Sequence, residues 1–229
     1  MIEKKILLST DIGSDPDDAL TILTMLNTGM NIQGIYTVNG DVNARSYIAR
    51  HIVNLAGKDI PVGRGVSRSI DGLVQPYSHY ERDFVDDVFI NEEASDESPH
   101  IIFKPLKHVG IATAGMQDLA WRLTQEEHTV FSIGPLTNIA MLLREYPPAV
   151  KNIQHLYVMG GSLTSSELEH NFAFDPVAAQ EVLQSTIPTT IVPINVCEKY
   201  NPSVEILDAL LSSPAKYVRH MLRANLNTK

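Results

Sequence analysis

Short apolar runs alternate with helical stripes along most of the chain. Runs rich in β-branched and apolar residues occupy 5–9, 32–38, 60–62, 129–133, 152–159 and 189–196. After the first run, apolar residues recur at Ala19, Ile22, Leu23 and Leu26, which is typical of one buried helical face. Strands that alternate with helices predict βαβ units. We therefore predict an α/β fold: a doubly wound, mainly parallel sheet flanked by helices, in a single domain over residues 1–229.

The helical pattern predicts several further elements. Helices are expected over 44–56, 116–123, 135–145 and 176–183, with two short ones starting at 201 and 213. Between Arg64 and Pro105 the pattern weakens and the chain is polar, with an acidic stretch over 83–97. A segment of this length without a clear pattern is typical of an insertion or a lid. We predict one there, over 64–105.

Composition narrows the classes of partner. The formal net charge of −9 and the lack of a basic run argue against a nucleic-acid polymer. Cys197 is the single cysteine, which excludes an intrachain disulfide and is typical of a reducing compartment. No apolar stretch approaches the roughly 20 residues needed to cross a bilayer. We expect a cytoplasmic protein without a membrane partner.

Four carboxylates crowd the loop between the first strand and the first helix, at Asp11, Asp15, Asp17 and Asp18. An aspartate followed by Pro16 is a good helix start, so helix capping accounts for part of the cluster. Asp11, however, lies in the loop before that start. Crowded carboxylates repel each other unless a cation or a shared proton offsets them, and a hard divalent ion takes several oxygen ligands. Helix capping and a metal site both remain open from spacing alone.

The segment Ser-Thr-Asp-Ile-Gly-Ser-Asp-Pro-Asp-Asp-Ala-Leu over 9–20 resembles the N-terminal signature of inosine–uridine-type nucleoside hydrolases. Further motifs follow in the family's order: Gly-Pro-Leu-Thr-Asn-Ile-Ala at 134–140, Val-Met-Gly-Gly at 158–161, and Glu-His-Asn-Phe-Ala-Phe-Asp-Pro at 169–176. The resemblance covers residues 5 to about 196. It implies a Rossmann-like fold and hydrolysis of the N-glycosidic bond of ribonucleosides to ribose and free base.

The resemblance also implies one calcium ion and assigns roles to residues around it. Asp11 and Asp18 would be calcium ligands, together with the backbone carbonyl of Ile133. Asp17 would be the general base that accepts a proton from the attacking water. By the same analogy the protein would form a homodimer or a homotetramer.

Five positions are candidates for contacts with the nucleoside. Asn171 and Glu169 would hold ribose hydroxyls; without the resemblance, capping of the helix that begins at Asp175, or a place in a loop, would be the favoured explanation. Asp41 stands where the family has an amide side chain that contacts ribose, with Asn39 close by. His79 lies roughly where the family has a histidine of the base pocket, although a surface histidine is an equal alternative.

Three features depart from the family pattern. Ser9 replaces the first aspartate of the usual Asp-x-Asp start, and the loop between Met159 and Glu169 is short. The family's C-terminal His-Asp pair, which completes the calcium shell and helps protonate the leaving base, has no counterpart in this sequence. The sequence therefore leaves two alternatives: a working hydrolase, or an impaired member that binds a riboside or acts as an interaction subunit. A phosphatase of the haloacid dehalogenase type would need an aspartate nucleophile where Ser9 stands.

Overall fold

A six-stranded parallel sheet forms the centre of the fold. The computed structural model describes residues 4–73, 113–164 and 168–199. The strands are β1 (Ile6–Thr10), β2 (Ile32–Thr37), β3 (Val62–Arg64), β4 (His128–Ser132), β5 (Ile153–Met159) and β6 (Thr189–Val192). Their order is β3-β2-β1-β4-β5-β6, and every neighbouring pair is parallel. The predicted doubly wound α/β fold is confirmed.

Helices cover both faces of this sheet. They are α1 (Pro16–Asn27), α2 (Val42–Leu55), α3 (Thr113–Gln125), α4 (Thr137–Glu145), α5 (Pro147–Val150), α6 (His170–Phe174), α7 (Pro176–Gln184) and α8 (Ile194–Cys197). Successive strand residues point to opposite faces, so Leu8 packs with α1 and α2, whereas Leu7 packs with α3, α4 and α7. Two apolar clusters result, one on each side of the sheet.

Two strands differ by more than one residue from their predicted bounds. The run 189–196 was expected to be one strand, but β6 ends at Val192 and α8 begins after Pro193. Proline has no backbone N–H, so it cannot donate to a neighbouring strand and suits the start of a helix. The third strand begins at Val62 rather than at residue 60 and includes Gly63 and Arg64. These two residues are not apolar, which is why the hydrophobic pattern missed them.

Some predictions lie outside the described residues. They are His79, most of the predicted insertion at 64–105, and the short helices expected after 201 and 213. Within the described ranges, no helix combines the length and the apolar character needed to cross a bilayer.

The sheet brings two loops together at its centre. β1 pairs with β2 on one side and with β4 on the other, so the chain reverses its winding direction at the β1/β4 boundary. In doubly wound sheets, ligands bind at the carboxyl ends of the strands at this switch point. Asp11 follows β1 and Ile133 follows β4, which places both at that position.

Candidate functional site

A cavity of about 270 Å³ lies at the switch point. Residues from three of the sequence motifs meet there. Its lining consists of Asp11, Ser14, Asp15, Asp17, Asp18, Ile133, Met159, Glu169, His170, Asn171 and Ile194. Six of the predicted site residues are therefore brought together, although they come from distant parts of the chain.

Asp11 lies where the loops after β1, β2 and β4 meet. Loss of solvation raises its pKa above the ordinary value, and the negative charge of Asp17 adds to this shift. The positive charge of Arg45 and a side-chain hydrogen bond with Asn39 act in the opposite direction. The cluster is thus partly offset by charge, and the Asp11 carboxyl still prefers the neutral form more than a solvated carboxyl does.

Asp18 is the buried member of the cluster. Only 8% of its surface is exposed, and it accepts a hydrogen bond from the hydroxyl of Thr10. Loss of solvation, followed by the charges of Asp11 and Asp17, raises the Asp18 pKa well above its ordinary value. A bound cation would relieve this repulsion.

Asp17 and Asp15 are the exposed carboxylates of the loop. Asp17 lies in the first turn of α1, and its Oδ1 accepts the backbone N–H of Asp18 at 3.0 Å. Asp15 occupies the N-cap position of α1 but makes no side-chain capping bond. Side-chain capping therefore does not account for Asp15, nor does it explain why four carboxylates face one cavity.

Asn171 joins the ends of two strands at the cavity wall. Its Nδ2 donates to the carbonyl oxygen of Ile133 at 3.0 Å and to that of Met159 at 3.1 Å. The residue is 6% exposed. Both Asn171 and the Ile133 carbonyl are thus held by the same contact.

Glu169 caps α6, whereas the sequence alternative was capping of the helix that begins at Asp175, which Asp175 itself caps. Its carboxylate accepts backbone N–H groups of Asn171 at 2.8 Å, Phe172 at 3.0 Å and Gly161 at 2.8 Å. It also lines the cavity. The capping contact is observed, and contact with ribose stays a prediction.

The remaining predicted residues lie apart from the lining. Asn39 is buried behind Asp11, to which its side chain is hydrogen-bonded. Asp41 is the N-cap of α2, and its Oδ1 accepts the N–H groups of Asn43 at 3.0 Å and Ala44 at 3.1 Å. Neither Asn39 nor Asp41 is among the described residues that line the cavity.

Sequence reasoning missed two residues near the cluster. His170 lines the cavity and was visible only as the middle residue of the Glu-His-Asn motif. Arg45 is 1% exposed and lies on the buried stripe of α2, three residues after Val42 and three before Ile48. A charged residue inside an apolar helical stripe was the available signal.

Ser9, which replaces the family's first aspartate, is also buried. Its hydroxyl accepts a hydrogen bond from Asn138 Nδ2 at 3.0 Å, and the same amide donates to the carbonyl oxygen of Thr37 at 3.2 Å. At this position the chain has a neutral hydrogen-bond network in place of a further carboxylate.

The donor set at the cavity is made of oxygen atoms. Within the described residues, no three histidine, cysteine, aspartate or glutamate side chains form a cluster suited to a metal ion. The candidate ligands for a cation are the carboxylates of Asp11 and Asp18 and the carbonyl oxygen of Ile133. Hard cations such as calcium take six to eight oxygen ligands, some of them from water. The chemistry of these donors fits such a cation, with the remaining positions open to water and sugar hydroxyls.

Comparisons with known proteins agree with this architecture. The family model described as inosine-uridine preferring nucleoside hydrolase matches residues 6–228. Among solved structures, an inosine-uridine preferring nucleoside hydrolase from Bacillus anthracis is 21% identical with a TM-score of 0.69, covering 96% of this chain and 76% of that one. A purine-preferring ribonucleoside hydrolase from Gardnerella vaginalis is 22% identical with a TM-score of 0.71, covering 95% and 70%. These structures share the fold.

Curated relatives match at slightly higher identity. An Arabidopsis thaliana protein named probable uridine nucleosidase 2 is 29% identical, covering 96% of this chain and 68% of the relative. The non-specific ribonucleoside hydrolase RihC of Salmonella paratyphi A is 30% identical, covering 90% and 66%. The chain thus spans about two thirds of the length of these relatives. Because the family model matches nearly the whole length of the chain, the chain belongs to the inosine-uridine preferring nucleoside hydrolase family.

Proposed function

We propose that this protein hydrolyses the N-glycosidic bond of ribonucleosides and releases ribose and the free base. The observation that carries the proposal is the convergence of Asp11, Asp17 and Asp18 with Ile133 and Asn171 in one cavity. Relatives named as ribonucleoside hydrolase and uridine nucleosidase support the same substrate class.

The cluster suits the charge that this reaction develops. Cleavage of a glycosidic bond gives the sugar oxocarbenium character, which nearby carboxylates stabilise. Asp11, Asp18 and the Ile133 carbonyl would hold a calcium ion. When bound, such an ion lowers the pKa of a coordinated water and binds sugar hydroxyls.

Asp17 is the proposed general base. Its carboxylate is exposed at the cavity, where a water molecule can reach it. As the water oxygen bonds to the anomeric carbon, the C–N bond breaks and its electron pair leaves with the base. Asp17 accepts one proton of the water and later releases it to solvent, while the departing base takes one proton from solvent, so the products are ribose and the neutral base.

Asn171 and Glu169 are proposed to bind the ribose. Both line the cavity, and both are held in place by hydrogen bonds to backbone groups. Side chains fixed in this way can orient a sugar without a further loss of rotamer freedom.

The test is release of ribose from inosine, uridine, adenosine and cytidine, measured as reducing sugar. We expect release with calcium present, loss of release with a chelator, and recovery when calcium is restored. Heat-treated protein serves as the control for non-enzymatic release of reducing sugar. If no nucleoside yields ribose at saturating calcium, the hydrolase proposal is wrong.

A second candidate is a riboside-binding protein without turnover. The presence of only two candidate carboxylate ligands for a cation in the described residues favours it. It predicts that a nucleoside raises the melting temperature while no ribose appears. Oligomeric state and cellular compartment stay predictions.

A further inference from the structure

Arg45 carries a buried positive charge beside the acidic loop. The residue is 1% exposed and lies in the first half of α2. A buried charge is costly unless it is paired and hydrogen-bonded. Its surroundings therefore indicate why an arginine is kept at a position where the helical pattern favours an apolar residue.

The guanidinium group connects two loops. Its Nη1 donates to the carbonyl oxygen of Ile12 at 3.0 Å, and its Nη2 donates to Ser14 Oγ at 3.1 Å. Its Nε donates to the carbonyl oxygen of Asn39 at 2.8 Å. The planar group thus holds the loop after β1 and the turn after β2 at a fixed separation.

The contact with Asn39 extends to Asp11. Asn39 has a φ of 67°, in the left-handed region that residues other than glycine seldom adopt. Arg45 donates to the carbonyl oxygen of Asn39, and the side chain of Asn39 is hydrogen-bonded to Asp11. Arg45 therefore supports Asp11 from two directions, through Asn39 and through the loop from Ile12 to Ser14.

We propose that Arg45 is a positioning residue that holds the Asp11 carboxylate at the cavity in the geometry needed for calcium. The calcium part rests on the proposed function. Arg45 is not among the described residues that line the cavity, so it acts through Ile12, Ser14 and Asn39.

The positive charge of Arg45 and its hydrogen bonds to the two loops predict opposite effects on calcium affinity. Loss of the Arg45 charge would raise the pKa of the Asp11 and Asp18 carboxyls, so calcium affinity is compared at a pH high enough to ionise both. At such a pH a cation near the cluster repels calcium, and loss of its charge alone would tighten binding. Loss of its three hydrogen bonds would free the loop and weaken binding. The direction of the change therefore distinguishes a positioning role from a general electrostatic one.

The variants are Arg45→Met and Arg45→Lys, with Arg50→Met as the matched control. Arg50 lies on the same helix and donates to the Ile60 carbonyl at 2.9 Å, away from the loop. Calcium affinity is measured by calorimetry, and amide hydrogen exchange over 11–15 and 39–40 is measured in the calcium-free protein. We expect Arg45→Met to weaken calcium binding about tenfold or more and to speed exchange in both segments. Arg45→Lys should show a smaller change of the same sign, and Arg50→Met should leave affinity and exchange there unchanged.

Equal or tighter calcium binding by Arg45→Met would overturn the proposal. If that variant does not fold, Arg45→Lys decides, because wild-type affinity and exchange in Arg45→Lys would show that the planar group is not needed. If the wild-type protein binds no calcium, the calcium proposal fails, and the exchange measurement still tests whether Arg45 orders the two loops.

Discussion

Gly134 and Asp11 approach so closely that no side chain fits between them. A Cβ atom on Gly134 would lie 2.6 Å from Oδ1 of Asp11 and 2.8 Å from its backbone nitrogen. Both distances are shorter than real Cβ contacts, so one of the two loops would have to move. The pairing of β1 with β4 fixes where these loops start, which makes the carboxylate the easier part to displace.

We therefore expect Gly134→Ala to weaken calcium binding and to lower hydrolysis about tenfold or more, because it moves a proposed ligand. Calorimetry and a ribose-release assay measure the two effects. Gly63→Ala is the matched control, since its Cβ would meet the Tyr36 ring at 2.7 Å, in β2, away from the cavity. The control should lose stability while its calcium affinity stays at the wild-type value. Unchanged calcium affinity in Gly134→Ala would contradict the placement of Asp11 in the metal site.

Asp17→Asn separates the proposed base from the proposed metal ligands. Positioned general bases contribute roughly 10²–10⁴-fold to rate, so we expect a loss of that order in kcat with calcium binding retained. Asp15→Asn is the control, because Asp15 is the neighbouring exposed carboxylate of the same loop. If both variants lose activity equally, the effect is one of local charge, and Asp17 has no special role as a base.

The fold could be predicted from the sequence because short β-rich apolar runs alternate with helical stripes. Six strands were identified from those runs. The positions of the motif residues followed less directly. Thr137 Oγ1 donates to Asp175 Oδ2 at 2.7 Å, and Asn138 donates to Ser9. These motif residues join elements within the fold, and a one-dimensional pattern cannot show which motif residue faces the cavity and which faces the core.

The acidic residues of the site could be predicted from the sequence, whereas the residues that hold them in position could not. Four carboxylates within eight residues stand out in any sequence, whereas Arg45 contacts residues more than 30 positions away in Ile12 and Ser14. Such a contact depends on how α2 packs beside α1. A capping role was expected for Glu169 at the helix that begins at Asp175, but Glu169 caps the short helix α6, which the hydrophobic pattern did not predict.

Thr10→Val tests the support of the buried carboxylate. The Thr10 hydroxyl donates to Asp18 and accepts the N–H of Ile12 at 3.1 Å. Because this hydrogen bond lowers the Asp18 pKa, its loss should raise that pKa further and weaken calcium binding most at acidic pH. Calorimetry at pH 5.5, 7 and 8.5, with these values chosen to span roughly the range of a perturbed carboxyl, should show a difference that shrinks as pH rises. Thr10→Ser keeps the hydroxyl and should bind like the wild type; failure of serine to restore binding would point to packing of the threonine methyl instead.

Asp18 should also make the stability of the calcium-free protein depend on pH. Its folded-state pKa is raised, whereas an unfolded aspartate titrates near about 3.9. A raised carboxyl pKa means that the folded state binds the proton more tightly than the unfolded state does. The resulting stability is fully present below the unfolded pKa and is lost as pH rises through the folded pKa. Asp18→Asn cannot lose a proton in this way.

We therefore expect Asp18→Asn, in the presence of a chelator, to become progressively more stable than the wild type as pH rises from 4 to 8, a range set by the upward shift from about 3.9. Urea unfolding at several pH values measures this difference in free energy. With saturating calcium at neutral pH the order should reverse, because ligand binding stabilises the wild type and the variant lacks a ligand carboxylate. A difference that does not change with pH in the chelator would contradict the raised pKa. A difference that changes with pH but does not respond to calcium would support the raised pKa of the Asp18 carboxyl. It would contradict the role of Asp18 as a calcium ligand.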